Sequence, residues 1–161
     1  MKDRESGDGA LKLEDFLPYR LSVLTNVVSG NLARVYADRF DLSVPEWRVL
    51  AVLGRFPDSS AVEVAERSAM DKVTVSRAVA RLLAKGRLVR ATARDDRRRS
   101  VLRMSREGRA IYRQIVPLAR AYEADLLGAL TGAERRLLDR LLERLKHKAL
   151  GLTDELREAG D

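Results

Sequence analysis

Residues 71–86 of this 161-residue chain read Asp71-Lys-Val-Thr-Val-Ser-Arg-Ala-Val-Ala-Arg-Leu-Leu-Ala-Lys-Gly86, and this pattern predicts a short helix with two chemically different faces. Asp71 is a suitable N-cap for the helix, and Gly86 is a suitable stop signal. The apolar residues recur at spacings of three and four, so the expected buried face carries Val75, Ala78, Val79 and Leu82. Hydroxyl and basic side chains are left for the outward side: Lys72, Thr74, Ser76, Arg77 and Arg81.

Two short runs with strand-like alternation follow this helix, Leu88-Val-Arg-Ala-Thr92 and Ser100-Val-Leu-Arg-Met104. The residues between them, Ala93-Arg-Asp-Asp-Arg-Arg-Arg99, are charged at every position but the first. Alternation on both sides of a polar loop predicts an antiparallel hairpin. The chain therefore places a hairpin with an arginine-rich tip directly after the helix.

Two capping boxes precede the helix at 71–86. Ser43-Val-Pro-Glu46 and Ser60-Ala-Val-Glu63 each combine a hydroxyl N-cap with a glutamate three residues later, which is a pattern that starts helices. The short joint Ala69-Met70-Asp71 then separates two helices in a helix-turn-helix arrangement. The hairpin that follows has the position of a wing.

The segments outside this module are also predicted to be helical. Residues 15–40 carry apolar residues three and four apart, a further helix begins near Ser105 and contains Pro117, and Thr131-Gly-Ala-Glu134 is a third capping box. The outer helices carry more leucine than one small module can cover, so we expect them to pair in a homodimer. The alternative is that they wrap around the module of their own chain. The last helix repeats leucine at Leu137, Leu138, Leu141, Leu142 and Leu145.

The positive charge of the chain is concentrated in one segment. The net charge is +7, but residues 71–106 contain 12 Lys or Arg and 3 Asp, so this segment carries +9 and the remainder −2. Such a concentration is typical of a surface that binds a polyanion such as DNA. The alternative is a solvated basic face that has no partner.

Composition argues against several other functions. The chain has no Cys and one His, which disfavours thiol chemistry and the usual metal sites. We find no glycine-rich phosphate loop and no nucleophile with a base, so we predict no enzyme activity, no catalytic residues, no metal and no cofactor. No apolar run is long enough to span a membrane and no signal peptide opens the chain, so we expect a cytoplasmic protein without a membrane partner.

The order of elements and several short motifs together resemble the multiple antibiotic resistance regulator (MarR) family over residues 15–148. The wing is the most specific part, because Asp96-x-Arg98 precedes an element that reads Leu-Thr in the family and Met104-Ser105 here. Both replacements keep a strand end followed by a hydroxyl N-cap. The motifs are Pro45-Glu46-Trp47-Arg48-Val49-Leu50, Val75-Ser76-Arg77, Gly86-Arg-Leu-Val-Arg90, Asp95-Asp-Arg-Arg98 and Met104-Ser105-Arg-Glu-Gly108.

This resemblance implies a mainly α fold with a small β-hairpin wing, and a homodimeric transcription regulator, usually a repressor. Such proteins bind a palindromic operator in double-stranded DNA and are often released by a small-molecule effector. Phe16-Leu-Pro-Tyr-Arg-Leu21 and Val44-Pro-Glu-Trp-Arg48 resemble the branch that includes sensors of hydroxycinnamates and their CoA thioesters, so an aromatic acid or its thioester is implied as effector. The predicted organisation is a mobile arm at 1–14, a dimerisation helix at 15–42, a winged helix-turn-helix module at 43–105, dimerisation helices at 106–149 and a polar tail at 150–161.

The outward side of the helix at 71–86 is predicted to enter the major groove, because the first turns of a recognition helix reach base edges. Arg77 is the candidate for a bidentate contact with guanine. Thr74 and Ser76 can contact bases or phosphates. Lys72 and Arg81 are predicted to contact phosphates, which position the protein without specifying sequence.

The wing is predicted to add a second DNA contact. Arg98 at its tip can enter the minor groove, where narrow A·T tracts concentrate negative potential. Asp96 is expected to pair with a neighbouring arginine and so to stabilise the hairpin. The alternative for any single arginine is a solvated side chain. The remaining tip arginines would bring positive charge near the DNA backbone: Arg94, Arg97 and Arg99.

The resemblance implies an effector site where the dimer helices meet the winged module. An arginine there could hold a carboxylate, and Trp47 could stack on a ring. The alternatives are that Trp47 belongs to the core and that Arg48 only pairs with an acid. The candidate residues are Tyr19, Arg20, Asn26, Ser29, Trp47 and Arg48.

Two other functions remain open at this stage. A sequence-neutral architectural DNA-binding protein would bind random and specific duplexes alike, so a competition assay would distinguish it. A helical module whose basic face binds an acidic protein or a membrane surface would show no preference for duplex DNA.

Overall fold

The structure is a computed structural model that describes residues 11–93, 98 and 100–158, with only the backbone described for 153–158. The described residues form a mainly α fold with one antiparallel hairpin, which confirms the predicted fold class. A short 3-10 turn (Leu13–Asp15) lies within the predicted N-terminal arm, whose residues 1–10 are outside the described part. The elements are α1 (Leu17–Phe40), α2 (Val44–Arg55), α3 (Ala61–Ser68), α4 (Lys72–Ala84), β1 (Leu88–Thr92), β2 (Ser100–Met104), α5 (Arg106–Leu127) and α6 (Gly132–Glu158).

The three predicted capping boxes are confirmed. In each one the N-cap residue donates its backbone N–H to the carboxylate of the glutamate three positions later. The N–H of that glutamate in turn donates to the N-cap hydroxyl, which satisfies two donors that the helix leaves without partners. The N-cap N–H to carboxylate distances are 2.8 Å for Ser43–Glu46, 2.7 Å for Ser60–Glu63 and 2.7 Å for Thr131–Glu134.

The joints around α4 rely on left-handed backbone. Ala69 (φ 53°) ends α3, and Gly86 (φ 65°) follows the end of α4. The Arg87 N–H donates to the Leu82 carbonyl oxygen at 2.8 Å, and the Gly86 N–H donates to that of Leu83 at 3.0 Å. These bonds satisfy the last carbonyls of α4 and turn the chain into β1, as the predicted stop at Gly86 requires.

The hairpin pairs Leu88 with Met104, Arg90 with Leu102 and Thr92 with Ser100. Its strand bounds match the sequence prediction. A backbone bridge joins it to the loop before α3, because the Leu102 N–H donates to the Ser59 carbonyl oxygen at 2.9 Å. The base of the wing is thus attached to the helix-turn-helix.

One hydrophobic core lies in the part of the chain up to Ala119, which forms the first of two compact units. Two glycines allow close approach within it. A Cβ at Gly54 would lie 2.3 Å from the ring of Tyr112, and a Cβ at Gly108 would lie 2.1 Å from the carbonyl oxygen of Arg87. Gly108 is therefore needed in its motif because the start of α5 meets the turn between α4 and β1 at backbone distance. The largest fully buried side chains are Tyr36, Leu50, Leu82, Leu102 and Ile115.

The second unit contains the residues from Arg120 onward, which are the end of α5 and all of α6. Helix α6 continues to Glu158, so most of the predicted polar tail at 150–161 is helical. The segment 150–158 contains Leu, Glu and Arg, which are good helix formers, and no proline to end the helix. The predicted leucine repeat on α6 is exposed in the single chain.

None of the helices within the described ranges is long and apolar enough to cross a membrane.

Candidate nucleic-acid interface

The N-terminus of α4 is fixed by its capping residue. The Thr74 N–H donates to Asp71 Oδ1 at 2.8 Å, and the Thr74 hydroxyl donates to Asp71 Oδ2 at 2.6 Å. The side-chain and backbone hydrogen bonds from Thr74 hold the pKa of Asp71 below its usual value, so the cap stays ionised near neutral pH. The Thr74 hydroxyl is therefore engaged within the protein, which limits the role predicted for it in contacting DNA.

Helix α4 separates its two faces as the sequence predicts. Its four inward residues are at most 3% exposed, which confirms the predicted buried face. The hydroxyl and basic side chains lie outside this core. Lys72, Ser76, Arg77 and Arg81 are exposed, and Thr74 is half-buried.

A shallow groove of about 210 Å³ runs beside the exposed face of α4. Arg77 and Arg81 line one side, and Ser43 and Pro45 at the start of α2 line the other. Two guanidinium groups one helical turn apart thus border an open surface, an arrangement suited to an anionic ligand.

The structure describes both strands of the wing and, of the residues 94–99 at its tip, Arg98. Arg98 lies in an exposed turn between β1 and β2. Arg94, Asp96, Arg97 and Arg99 lie outside the described residues. The base of the wing is braced by a bidentate ion pair in which Arg103 Nε donates to Asp58 Oδ1 and Arg103 Nη2 donates to Asp58 Oδ2 at 3.0 Å.

A charged junction connects the end of α4 with the end of α1 and the start of α2. Lys85 Nζ lies 3.0 Å from Glu46 Oε1 and donates to the Asp41 carbonyl oxygen at 2.6 Å. Arg87 Nη1 donates to the same carbonyl oxygen at 2.8 Å. Lys85 Nζ also lies 3.0 Å from Asp41 Oδ2, so the three elements are held together by one backbone oxygen and two carboxylates.

Glu46 is the buried member of this junction, with 2% of its surface exposed. Burial raises the pKa of Glu46, but hydrogen bonds from Ser43 and Lys85 and the charge of Lys85 outweigh it. The net pKa of Glu46 lies below its ordinary value. Glu46 therefore acts both as a capping residue and as the buried partner of Lys85. The sequence indicated the first role and gave no sign of the second.

Two of the predicted effector residues are close together. Arg48 Nη2 donates to Ser29 Oγ at 3.4 Å, which links α2 to the middle of α1. Trp47 is 9% exposed and lies between two tyrosines, with ring centroids 5.7 Å from Tyr36 and 5.9 Å from Tyr112. Trp47 thus belongs to the core, while Arg48 is only half-buried.

The remaining effector candidates lie elsewhere on α1. Tyr19 and Arg20 line an open apolar groove of about 330 Å³ with Val23, Leu24 and Val27. Asn26 is exposed. Along a helix, Tyr19 and Ser29 are about 15 Å apart. The six predicted residues therefore do not form one cluster in the single chain. Tyr19 and Arg20 share a groove, and Ser29 and Arg48 are joined by a hydrogen bond.

Two exposed residues on α4 and β1 were not among the predicted site residues. Val73 is 59% exposed on α4, and Arg90 is exposed on β1. The outward position of Val73 could have been found from the helical period, because it lies two residues before the buried Val75. Among the residues that the structure describes, no group of His, Cys, Asp or Glu is arranged to hold a metal ion.

Known proteins are similar to this chain in sequence and in fold. Residues 40–99, which hold the helix-turn-helix and the first strand of the wing, match the model of the MarR family. The HTH-type transcriptional repressor IacR of Pseudomonas putida is 28% identical over 134 residues, which are 83% of this chain and 80% of IacR.

Solved structures extend the similarity beyond the helix-turn-helix. A MarR/EmrR family transcriptional regulator from Acinetobacter sp. ADP1 superposes with a TM-score of 0.80 over 86% of this chain and 98% of its own, at 24% identity. BpsR of Bordetella bronchiseptica, whose DNA binding is regulated by 6-hydroxynicotinic acid, has a TM-score of 0.74 over 86% of this chain and 98% of its own, at 25% identity. The family match over residues 40–99 and the repressor relative make the helix-turn-helix of this chain similar to that of the MarR family of DNA-binding transcription regulators, which are not enzymes, and the solved structures show that most of the chain shares their fold.

Proposed function

We propose that this protein is a homodimeric repressor that binds a palindromic operator through the exposed basic face of α4. The carrying observation is the separation of faces on α4. All of its core contacts use one side, and the opposite side presents exposed Lys72, Ser76, Arg77 and Arg81. A helix of this kind can enter the major groove without losing any contact within its own module.

The residues divide by reach and chemistry. By the helical period, Arg77 is the basic residue of α4 nearest the middle of the exposed face, and it carries the fork of donors that matches the edge of guanine. Lys72 and Arg81 flank it and are placed for phosphates. The Ser76 side chain takes no part in the N-cap of α4 and can reach a base or a phosphate. Thr74 acts mainly by donating hydrogen bonds to Asp71, which fixes the start of the helix.

The wing supplies the second contact in this proposal. Arg98 enters the minor groove, Asp96 pairs with a neighbouring arginine, and Arg94, Arg97 and Arg99 follow the backbone. The ion pair of Arg103 with Asp58 supports the idea, because it stiffens the base from which the tip projects.

The homodimer is supported by apolar surface that the single chain leaves uncovered. On α6 the repeat Leu137, Leu141 and Leu145 is 42–46% exposed. The first half of α1 shows the same feature, with Leu21, Leu24 and Val27 between 39% and 57% exposed. Surfaces of this kind mark protein interfaces, and a second copy covers both by two-fold symmetry.

Selection of bound fragments from a genomic DNA library tests the proposed function. We expect an enriched palindrome that binds at least about 10³-fold more tightly than random duplex at physiological salt. Equal binding to random duplex would support the architectural alternative. Binding to acidic proteins or anionic vesicles, with no duplex preference, would support the interaction module.

Titration of the enriched duplex then tests the residues. Arg77→Ala should weaken binding by about 1–3 kcal/mol and relax the sequence preference. Arg98→Ala should weaken binding while the fold and the dimer remain intact. Arg113→Ala, an exposed arginine on α5, is the matched control and should bind like the parent. Unchanged binding by both test variants would show that the reading surface lies elsewhere.

We further propose that an aromatic acid or its CoA thioester releases the operator by binding near Ser29 and Arg48. The half-buried Arg48 can exchange its long 3.4 Å bond to Ser29 for a carboxylate. The regulation of BpsR by 6-hydroxynicotinic acid supports this class of effector. Release of the operator by that acid should be lost in Arg48→Gln and kept in Arg20→Gln; the reverse would place the site at the groove of Tyr19.

A further inference from the structure

Val73 has an unusual position for a valine of α4. The other two valines of the helix, Val75 and Val79, are 1% and 2% exposed, whereas Val73 is 59% exposed. Two residues of helix correspond to a rotation of about 200°, so Val73 points away from the core that holds Val75. Arg77 follows four residues later and lies on the same face.

Among the residues that the structure describes, none covers this apolar branched side chain enough to explain it. Valine is a weaker helix former than alanine, so it does not favour the helix itself. The neighbours on the exposed face are Lys72, Ser76 and Arg77, all polar. Val73 is therefore a stiff apolar group at the start of a surface whose other large side chains are charged or carry hydroxyls; the remaining exposed residues on the helix after it are alanines.

The chemistry of the major groove offers one match for such a group. Base edges there present hydrogen-bond donors and acceptors, and thymine alone of the four bases adds a methyl group. Placing an isopropyl group against an acceptor displaces water and returns no hydrogen bond. Placing it against the methyl group removes apolar surface from water on both molecules.

The spacing on the helix relates this contact to that of Arg77. Residues four apart are separated by about 6 Å along the helix axis, and successive base pairs by about 3.4 Å. We propose that Val73 reads the 5-methyl group of a thymine within about two base pairs of the guanine contacted by Arg77. The inference rests on the proposed function, because it requires α4 to enter the major groove.

Replacing thymine by deoxyuridine, one position at a time, tests this in the enriched operator. The substitution removes only the methyl group. At one thymine per half-site we expect the parent to lose about fourfold in affinity, the factor for one methyl group taken out of an apolar contact. Val73→Ala removes the contact in both half-sites of the homodimer, so it should bind the thymine operator about fourfold more weakly than the parent binds the singly substituted one, and should lose little more with deoxyuridine.

Val62→Ala is the matched control, because Val62 is an equally exposed valine (52%) on α3. It should keep the fourfold dependence on the methyl group. Two results would overturn the role of Val73 and leave the proposed function standing. One is that the parent binds with unchanged affinity when any thymine is replaced by deoxyuridine. The other is that the replacement lowers the affinity of the parent and of Val73→Ala by the same factor. If the library gives no enriched duplex, the proposed function fails and this inference fails with it.

Discussion

Helices α4 and α6 have the same kind of sequence pattern and opposite surroundings. Both repeat apolar residues at spacings of three and four. In α4 those residues are at most 3% exposed, because α2, α3 and the hairpin cover them. In α6 the leucines from Leu137 to Leu145 are 36–47% exposed. Periodicity thus identifies the apolar face of a helix, and the surrounding chain determines whether that face already has a partner.

The largest expected effect comes from charging the leucine face of α6. Leu141→Glu combined with Leu145→Glu should abolish the proposed homodimer, since two carboxylates per chain would have to be buried unpaired at the proposed interface. Sedimentation velocity should show a monomer where the parent is a dimer.

A control distinguishes loss of the dimer from loss of the fold. Asp139→Glu with Arg144→Lys, both exposed on α6, keeps charge and should leave the dimer unchanged. If the leucine variant sediments as a dimer, the face is not the interface. If the parent itself is a monomer at micromolar concentration, the homodimer is wrong.

Truncation of one leucine in α4 and one in α6 compares the stability that each apolar face contributes within the single chain. Leu82→Ala in α4 should lower the free energy of unfolding by about 2–5 kcal/mol, because it leaves a cavity in a closed core. Leu141→Ala in α6 should change the unfolding of the diluted monomer by less than about 1 kcal/mol, since the leucine is exposed there. Urea titration followed by circular dichroism gives both values, and equal losses would show that α6 is buried within its own chain.

Much of the module could be predicted from sequence because its signals are local. The capping boxes, the N-cap at Asp71, the stop at Gly86 and the strand bounds each depend on residues within a few positions of each other. The inward face of α4 follows from the helical period alone. The extension of α6 past residue 150 was not predicted. The segment there is polar and has no apolar repeat at helical spacing, although its residues favour helix.

The parts of the site that the sequence did not reveal depend on contacts between distant segments. Lys85 and Glu46 are 39 positions apart, and Arg103 and Asp58 are 45 positions apart. No local pattern indicates that such residues will meet. The separation of the effector candidates has the same origin, because only the packed chain shows that Arg48 reaches Ser29 while Tyr19 lies in a groove nearer the start of α1.

The buried ion pair of Lys85 with Glu46 is expected to have a smaller effect. Lys85→Met should cost about 1–3 kcal/mol at pH 7, less than a fully buried pair because the ammonium is partly exposed. The folded pKa of Glu46 lies below its ordinary value of 4.5, so its contribution is present above that pH and is lost as pH falls through the folded value. The difference between parent and variant in urea titrations should therefore shrink in acid to the part that comes from the bond of Lys85 to the Asp41 carbonyl oxygen. A difference that does not change with pH would exclude the ion pair as its cause.

The smallest expected loss of stability is at the N-caps of α3 and α6, where the same kind of capping box begins a helix in the winged module and in the C-terminal region. Ser60→Ala and Thr131→Ala should each cost about 1 kcal/mol, because each removes the hydroxyl acceptor at the start of a helix. For Ser60→Ala the loss should be seen in urea unfolding of the module. For Thr131→Ala it should be seen as faster amide hydrogen exchange in the first turn of α6, and unchanged exchange there would contradict the cap.

Hydroxyl-radical and methylation-interference footprinting of the enriched operator tests the central claim most directly. Two copies of α4 in a two-fold dimer should protect guanines in two major-groove segments about 34 Å apart, or a multiple of that distance. Arg77→Ala should lose the protected guanine in both segments. A single protected segment, or two segments on opposite faces of the duplex, would contradict the proposal that paired copies of α4 read the operator.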